Sequence, residues 1–271
     1  MCNIRGHNPN KRKCILHDET TKHIRSSPAF TMIRIRIRMR ISFLLLLYSL
    51  SIWQSEAQQD PMSMNGGSIL AMAGHGCVAL AVDKRFGSGS QMVNIAPRHV
   101  FSPHAHLMVA FTGLEGDVQS LSQELRIQVN SKNRRSFVSE VKRTISPKAM
   151  ASLTSHVLYN RRASPYYVEP LVVGLEQTAN GDLQPYLCAQ DCLGAKSKSD
   201  SFVCAGVASK SMYGTAEALW RPHLSSEELV EICGKAFLSA LERDCLSGYG
   251  AIIYLITKDG IMEYDLAARN D

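Results

Sequence analysis

From residue 68 onward, apolar residues fall into short blocks separated by polar turns. Ser68-Ile69-Leu70-Ala71-Met72 and Cys77-Val78-Ala79-Leu80-Ala81-Val82 are joined by Gly74-His75-Gly76, which predicts a β-hairpin with Asp83 where its second strand ends. Further strands are predicted over residues 92–95, 99–101 and 107–111. The period then changes. Val118, Leu121, Leu125 and Val129 put one apolar stripe on one helix face. Ser146-Pro147 opens a second helix, with Ser as cap and Pro where its missing N–H is harmless. Ala149, Leu153 and Val157 are its expected buried edge, and Asn160-Arg161-Arg162 brings cations to its end.

Strand patterns return over residues 168–175, 183–189 and 202–204, with Asn180-Gly181 as a turn and Lys196-Ser197-Lys198-Ser199-Asp200 as a solvated loop. A helix over about 209–220 carries Met212, Ala216 and Leu219 on one side. Another opens on a capping box, Ser225 with Glu228, and buries Leu229, Ile232, Cys233, Ala236, Phe237 and Ala240. Residues 252–256 and 261–264 close the chain as a hairpin around Lys258-Asp259-Gly260. Strands, two helices, strands, two helices, strands: this order predicts an α+β body, two sheets face to face with helices outside.

Charge divides the chain differently. The first 61 residues carry ten Lys/Arg against four Asp/Glu, so they hold all of the formal charge of +6 and the remainder is balanced. A balanced body argues against nucleic acid or an anionic membrane as its partner. Residues 1–61 are therefore set apart as a basic and apolar extension, and residues 62–271 as one domain. Within the extension Arg34, Arg36, Arg38 and Arg40 precede an uncharged run over 41–53, and Ser55-Glu56-Ala57 follows. That is the layout of a signal peptide, and the run is too short for a transmembrane helix. Three readings stay open: export, a removable pro-segment, or upstream sequence with initiation at Met62 or Met64. Six of the eight cysteines lie in the body, several inside apolar runs. A domain of this size needs no disulfide framework, which predicts reduced thiols.

The chemistry should sit at the start of the first strand. A hydrolase that uses its own N-terminal residue would offer Thr, Ser or Cys there, near a carboxylate. This chain has Gly67, which has no side-chain atom to attack with. The segment from Gly66 to Gly89 resembles the start of proteasome β-type subunits. Phe111-Thr112-Gly113-Leu114 with Gly116-Asp117-Val118-Gln119 resembles that family's strand-to-helix junction, and Arg243-Asp244-Cys245-Leu246-Ser247-Gly248-Tyr249-Gly250 its late motif. Tyr166-Tyr167-Val168-Glu169-Pro170, and Tyr213-Gly214 with Glu217-Ala218-Leu219-Trp220, are similar to the family's third β branch.

The resemblance implies a four-layer αββα sandwich of the N-terminal-nucleophile hydrolase type. It also implies an active-site plan: a Thr freed by cleavage after Gly, a Lys, two acids and two serines. Here the Thr position falls on Gly67, the Lys position on His99 beside Arg98, and the first serine near Val207. Asp83 keeps the first acid's place, and Asp244 and Ser247 keep the last acid and serine. With no nucleophile to activate, Asp83, Asp244 and Ser247 are expected to be scaffold, Asp83 holding backbone and Arg85. The implied role is a non-catalytic β subunit of the 20S core in ATP- and ubiquitin-dependent protein degradation, silent itself within a threonine-type endopeptidase. The implied partners are other α and β subunits in stacked seven-membered rings, with the second and fourth β subunits as neighbours, in cytoplasm and nucleus. No cofactor, metal, nucleic acid or membrane is implied. Two other readings compete: an active hydrolase working through Ser68 or a cysteine such as Cys77, and an exported protein of the same fold whose segment 34–57 acts as a signal. Ser68 should point away from the pocket, since successive strand side chains face opposite sides. His104-Ala105-His106 is a weak metal candidate beside a turn expected at Ser102-Pro103, and CxxC, HExxH and phosphate-loop motifs are absent from the sequence.

Overall fold

A computed structural model describes residues 60–95, 100–138, 144–178 and 181–268, together with position 42. The chain divides into two units, Met1–Gln58 and Gln59–Asp271, and all the elements described here belong to the second. They run β1 (Ser68–Ala73), β2 (Val78–Asp83), β3 (Arg85–Ser88), β4 (Gln91–Ile95), β5 (Val100–His104), β6 (Leu107–Gly113), α1 (Glu115–Val138) and α2 (Pro147–Asn160). There follow β7 (Val168–Gln177), β8 (Leu183–Gln190), β9 (Lys196–Ser199), β10 (Phe202–Gly206), α3 (Ser209–Leu219), α4 (Ser226–Leu241), β11 (Ala251–Thr257) and β12 (Gly260–Leu266).

Two five-stranded antiparallel sheets, ordered β10-β1-β2-β11-β12 and β5-β6-β7-β8-β9, form the centre. Their strands alternate sides as a pleat requires. Ile69, Ala71, Val78, Leu80 and Val82 meet Met108, Ala110, Leu171 and Val173 in a core between the sheets. Leu70, Met72, Ala79 and Ala81 face the other way, onto α3 and α4, while Leu107, Val109 and Phe111 face α1 and α2. Three cores separate four layers, the αββα sandwich expected. Because β1, β2 and β6 are buried on both faces, they appear in the sequence as continuous apolar runs with no visible period of two. Each fully buried Leu or Ile contributes about 1.5–3 kcal/mol. Ala79 and Ala81 leave room for α4 to approach, and Gly234 does the same on the helix: a methyl there would sit 3.1 Å from a Leu266 methyl.

Both helix caps predicted from sequence form. Ser146 Oγ accepts from the Ala149 N–H, and Ser225 and Glu228 make the full capping box. Several expectations need correction. Ala149 is exposed, and α2 buries Met150, Thr154 and Leu158, with Leu153 and Val157 at the margin. Pro147 is itself buried, beside Gly174 of β7. Leu219 stays 36% exposed at the end of α3. The Lys196–Ser199 stretch is a strand pairing with β8. As an outer edge it needs no apolar alternation, and its lysines discourage pairing with another chain. Ser102 and Pro103 lie inside β5, where the register slips between Phe101 and His104, so the reversal comes at Ala105-His106. Strand β3, which pairs with β4 apart from the main sheets, was missed altogether. Asn180 lies outside the described residues. Gly181 carries a positive φ of 90°, and its N–H donates to the Thr178 carbonyl. Among the described residues no helix is long and apolar enough to cross a membrane.

Candidate functional site

Strand β1 begins immediately after Gly67, and the backbone there is fixed from both sides. Thr112 Oγ1, near the end of β6, donates to the Gly67 carbonyl at 3.0 Å, and the Val207 N–H does so at 3.2 Å. Gly67 has φ +100°, and a Cβ added to it would lie 3.4 Å from Thr112 Oγ1 and 3.7 Å from Asp83 Oδ1. The position therefore points at a hydroxyl and a carboxyl, as a nucleophile's would, and offers them nothing.

The segment before Gly67 is hydrogen-bonded into the same body. The Gly66 N–H donates to the Ser63 carbonyl, and the Met62 N–H to Asp60 Oδ1. The Gly89 N–H donates to the Met64 carbonyl at 2.8 Å. Asn65 exchanges bonds with Gly87 in both directions, and its Oδ1 accepts the Glu115 N–H at 2.9 Å, occupying one of the open donors at the start of α1. The unforeseen strand β3 thus serves as the bed on which residues 64–66 lie.

Asp83 ends β2 with 1% exposure, and neither carboxylate oxygen makes a hydrogen bond of ordinary geometry among the described residues. Burial pushes its pKa well above the usual carboxylate range. The nearby Ser68 and Gly248 N–H groups and the Arg85 charge oppose that shift without cancelling it. Arg85, 2% exposed, directs its hydrogen bonds elsewhere: Nη1 donates to the Leu246 carbonyl at 2.9 Å and Nη2 to the Gly89 carbonyl at 3.1 Å. The expected Asp83–Arg85 clasp is therefore only a Coulombic attraction. The guanidinium instead ties the 244–247 loop to the β3–β4 turn.

Asp244 and Ser247 do come together, and Ser68 joins them. Ser247 Oγ donates to Asp244 Oδ2 at 2.6 Å. Its single hydrogen being committed, the 2.7 Å contact between the two serine hydroxyls is Ser68 donating to Ser247. Ser68 Oγ in turn accepts the Ala208 N–H at 3.1 Å. Ser68 is 1% exposed, and its hydroxyl is spent on Ser247 and the Ala208 N–H. Sequence reading placed Asp244 and Ser247 around residue 67 and missed Ser68 as their partner. The only available signal was that a hydroxyl follows Gly67 in a strand buried on both faces.

The remaining candidates separate. Val207 lies beside Gly67 and contributes only its N–H. His99 and Arg98 lie outside the described residues. Cys77 is buried just before β2, roughly 20 Å from Asp83 along the strand, and burial raises its thiol pKa. The six body cysteines are free. His104 and His106 bond carbonyls: His104 Nε2 lies 2.9 Å from the Ile145 oxygen, and His106 Nδ1 lies 3.1 Å from the Thr257 oxygen. Among the described residues no cluster of ligands is placed to hold a metal. A cleft of about 270 Å³ opens beside Gly206 and Val207, walled by Thr112, Glu169 and Lys210 and on its other side by Asp60, Met62 and Ser63. The chain preceding Gly67 thus forms part of the cleft wall.

Comparison with known proteins accords with this geometry. The family described as "Proteasome subunit" matches residues 63–256. "Proteasome subunit beta type-3" of Drosophila melanogaster is 34% identical over 210 residues, covering 78% of this chain and 98% of that protein. The beta type-3 subunit of Saccharomyces cerevisiae is 36% identical over 212 residues, 78% and 99% of the two chains. That of Trypanosoma brucei brucei is 37% identical over 210 residues, 78% and 98%. This chain belongs to the proteasome subunit family, as a β-type subunit of the core particle.

Proposed function

We propose that this chain is a non-catalytic β subunit, filling the third β position of the proteasome core. The observation that carries this reading is Gly67: a residue without a side chain stands where Thr112 and Asp83 converge, and the preceding segment is hydrogen-bonded into the body. Attack on a peptide carbonyl needs an oxygen or sulfur at that point, and a terminal amine to receive its proton. Gly67 supplies no such oxygen or sulfur. Ser68 does not replace them, since its hydroxyl is buried and committed to Ser247. The subunit then works by shape, filling its place in a ring, burying its neighbours' surfaces and lining the chamber in which other subunits cut. Obligate interfaces of this kind typically cover more than ~2,000 Å². In this reading the second and fourth β subunits flank it, in cytoplasm and nucleus, where the particle degrades ubiquitin-marked proteins.

The test is to tag the chain, purify what migrates with it, and treat the particle with an epoxyketone, which needs a terminal amine and its adjacent hydroxyl to form its adduct. Co-migration with α and β subunits is expected, with label on other β subunits and none on this polypeptide. An adduct on this chain would overturn the silent reading. Migration alone would overturn its place in the ring.

A further inference from the structure

A second feature lies at the end of α2, and the Gly67 site does not use it. No Asp or Glu occurs between Glu140 and Glu169, so α2 carries no carboxylate, and Arg161 and Arg162 follow directly at its end. At its C-terminal end the Arg161 guanidinium carbon stands 4.9 Å from the Tyr166 ring centroid, and that of Arg162 stands 5.8 Å from the Tyr159 centroid. Both arginines are exposed, and neither has an ion-pair partner among the described residues. The carboxylates on adjoining elements are already engaged with backbone. Asp117 accepts the Tyr167 N–H at 2.9 Å, Glu169 accepts that of Gly206 at 2.9 Å, and Asp191 accepts those of Leu193 and Ala195. Tyr159 is 60% exposed.

A cation at a helix C-terminus is favoured by the helix dipole alone. The dipole, however, asks for neither an exposed tyrosine beside it nor a helix free of acids. Stacking on a ring restrains a guanidinium while leaving its N–H edge open, so less freedom remains to be lost when that edge is engaged. Arginine and tyrosine dominate the residues on which protein interfaces depend most. The group that matches an open guanidinium edge is a planar carboxylate.

We propose that Tyr159, Arg161 and Arg162 form a docking surface for a carboxylate-bearing segment of a neighbouring subunit in the same particle. The identity of that partner rests on the ring reading above; the chemistry rests on this face. Phosphates also suit arginine, but the balanced charge of the body argues against nucleic acid.

The test places Arg161→Lys and Arg162→Lys in the tagged chain within the purified particle and couples lysine amines to carboxylates with a zero-length carbodiimide. Peptide mapping is expected to find position 161 or 162 joined to an Asp or Glu of another subunit, a link absent from the R161A/R162A chain. In competition with the wild type, R161E/R162E is expected to enter the particle roughly tenfold less, the scale of one lost charge-assisted hydrogen bond. Normal co-migration with no such link and equal entry of the reversed-charge variant overturns the docking surface and leaves the ring reading intact. Nuclease-sensitive attachment of nucleic acid to this face also overturns it. A wild-type chain that never joins the particle overturns both.

Discussion

Replacing Asp83 by Asn tests whether the retained acid is a cost to this fold. The carboxyl is buried to 1% exposure with no ordinary hydrogen bond to either oxygen, so its charged form is strongly disfavoured and its pKa is raised. In the unfolded chain the same group ionises around its ordinary value of 3.8. Below that value both states hold the proton and Asp83 imposes no penalty. As pH rises past it, the unfolded state gains ionisation that the folded state cannot match. Stability therefore falls until the folded pKa is passed. Within that window each pH unit costs up to about 1.4 kcal/mol. Asparagine keeps the shape and removes the titration, but brings amide hydrogens that also lack partners, returning about 1–2 kcal/mol. Asp83→Asn should then gain on the wild type as pH rises above about 4, by up to about 1.4 kcal/mol per pH unit, and be slightly less stable below it. Urea unfolding across this range, followed by fluorescence of Trp220, whose ring N–H bonds the Ala73 carbonyl, reads both limbs. Parallel stability curves for the two proteins would refute the reasoning. So would a wild type that gains stability from pH 4 to 7 relative to the variant.

Two further substitutions probe the same corner. A methyl at Gly66 would sit 2.2 Å from the Leu246 carbonyl oxygen and 2.6 Å from Arg85 Nη1, whereas one at Gly67 meets nothing closer than 3.4 Å. Gly66→Ala should therefore abolish soluble expression, while Gly67→Ala, strained only by its positive φ, should cost about 1–3 kcal/mol in thermal or urea unfolding; equal costs would contradict the packing described. Ser247→Ala should cost about 1–3 kcal/mol, and combining it with Ser68→Ala should cost less than the sum by about 1 kcal/mol. Additive losses would mean that the two hydroxyls are not coupled.

The parts of the fold most legible in the sequence were those whose signals are local. The Ser225–Glu228 box, the Ser146-Pro147 start and the stripe of Val118, Leu121, Leu125 and Val129 each depend on residues within a few turns of one another, and each stands where the pattern puts it. Polar edge strands left no such mark. Lys196–Ser199 pairs through its backbone with side chains in solvent, so composition alone makes it look like a loop. Ala149 was misassigned to the buried face of α2 because alanine is small enough for either side.

At the site, the sequence by itself determined what is missing: Gly67 cannot supply a nucleophile in any fold, because no side-chain atom exists to do so. It also determined that Asp83, Asp244 and Ser247 are retained. Which of them meet was decided only by tertiary structure. Ser68 and Ser247 are brought to 2.7 Å from opposite ends of the domain, Arg85 is drawn to Leu246 rather than to Asp83, and Asn65 reaches the start of α1. Such contacts join residues far apart in sequence, and their partners depend on how two sheets twist and stack. That packing is a property of the whole core, and no short motif encodes it.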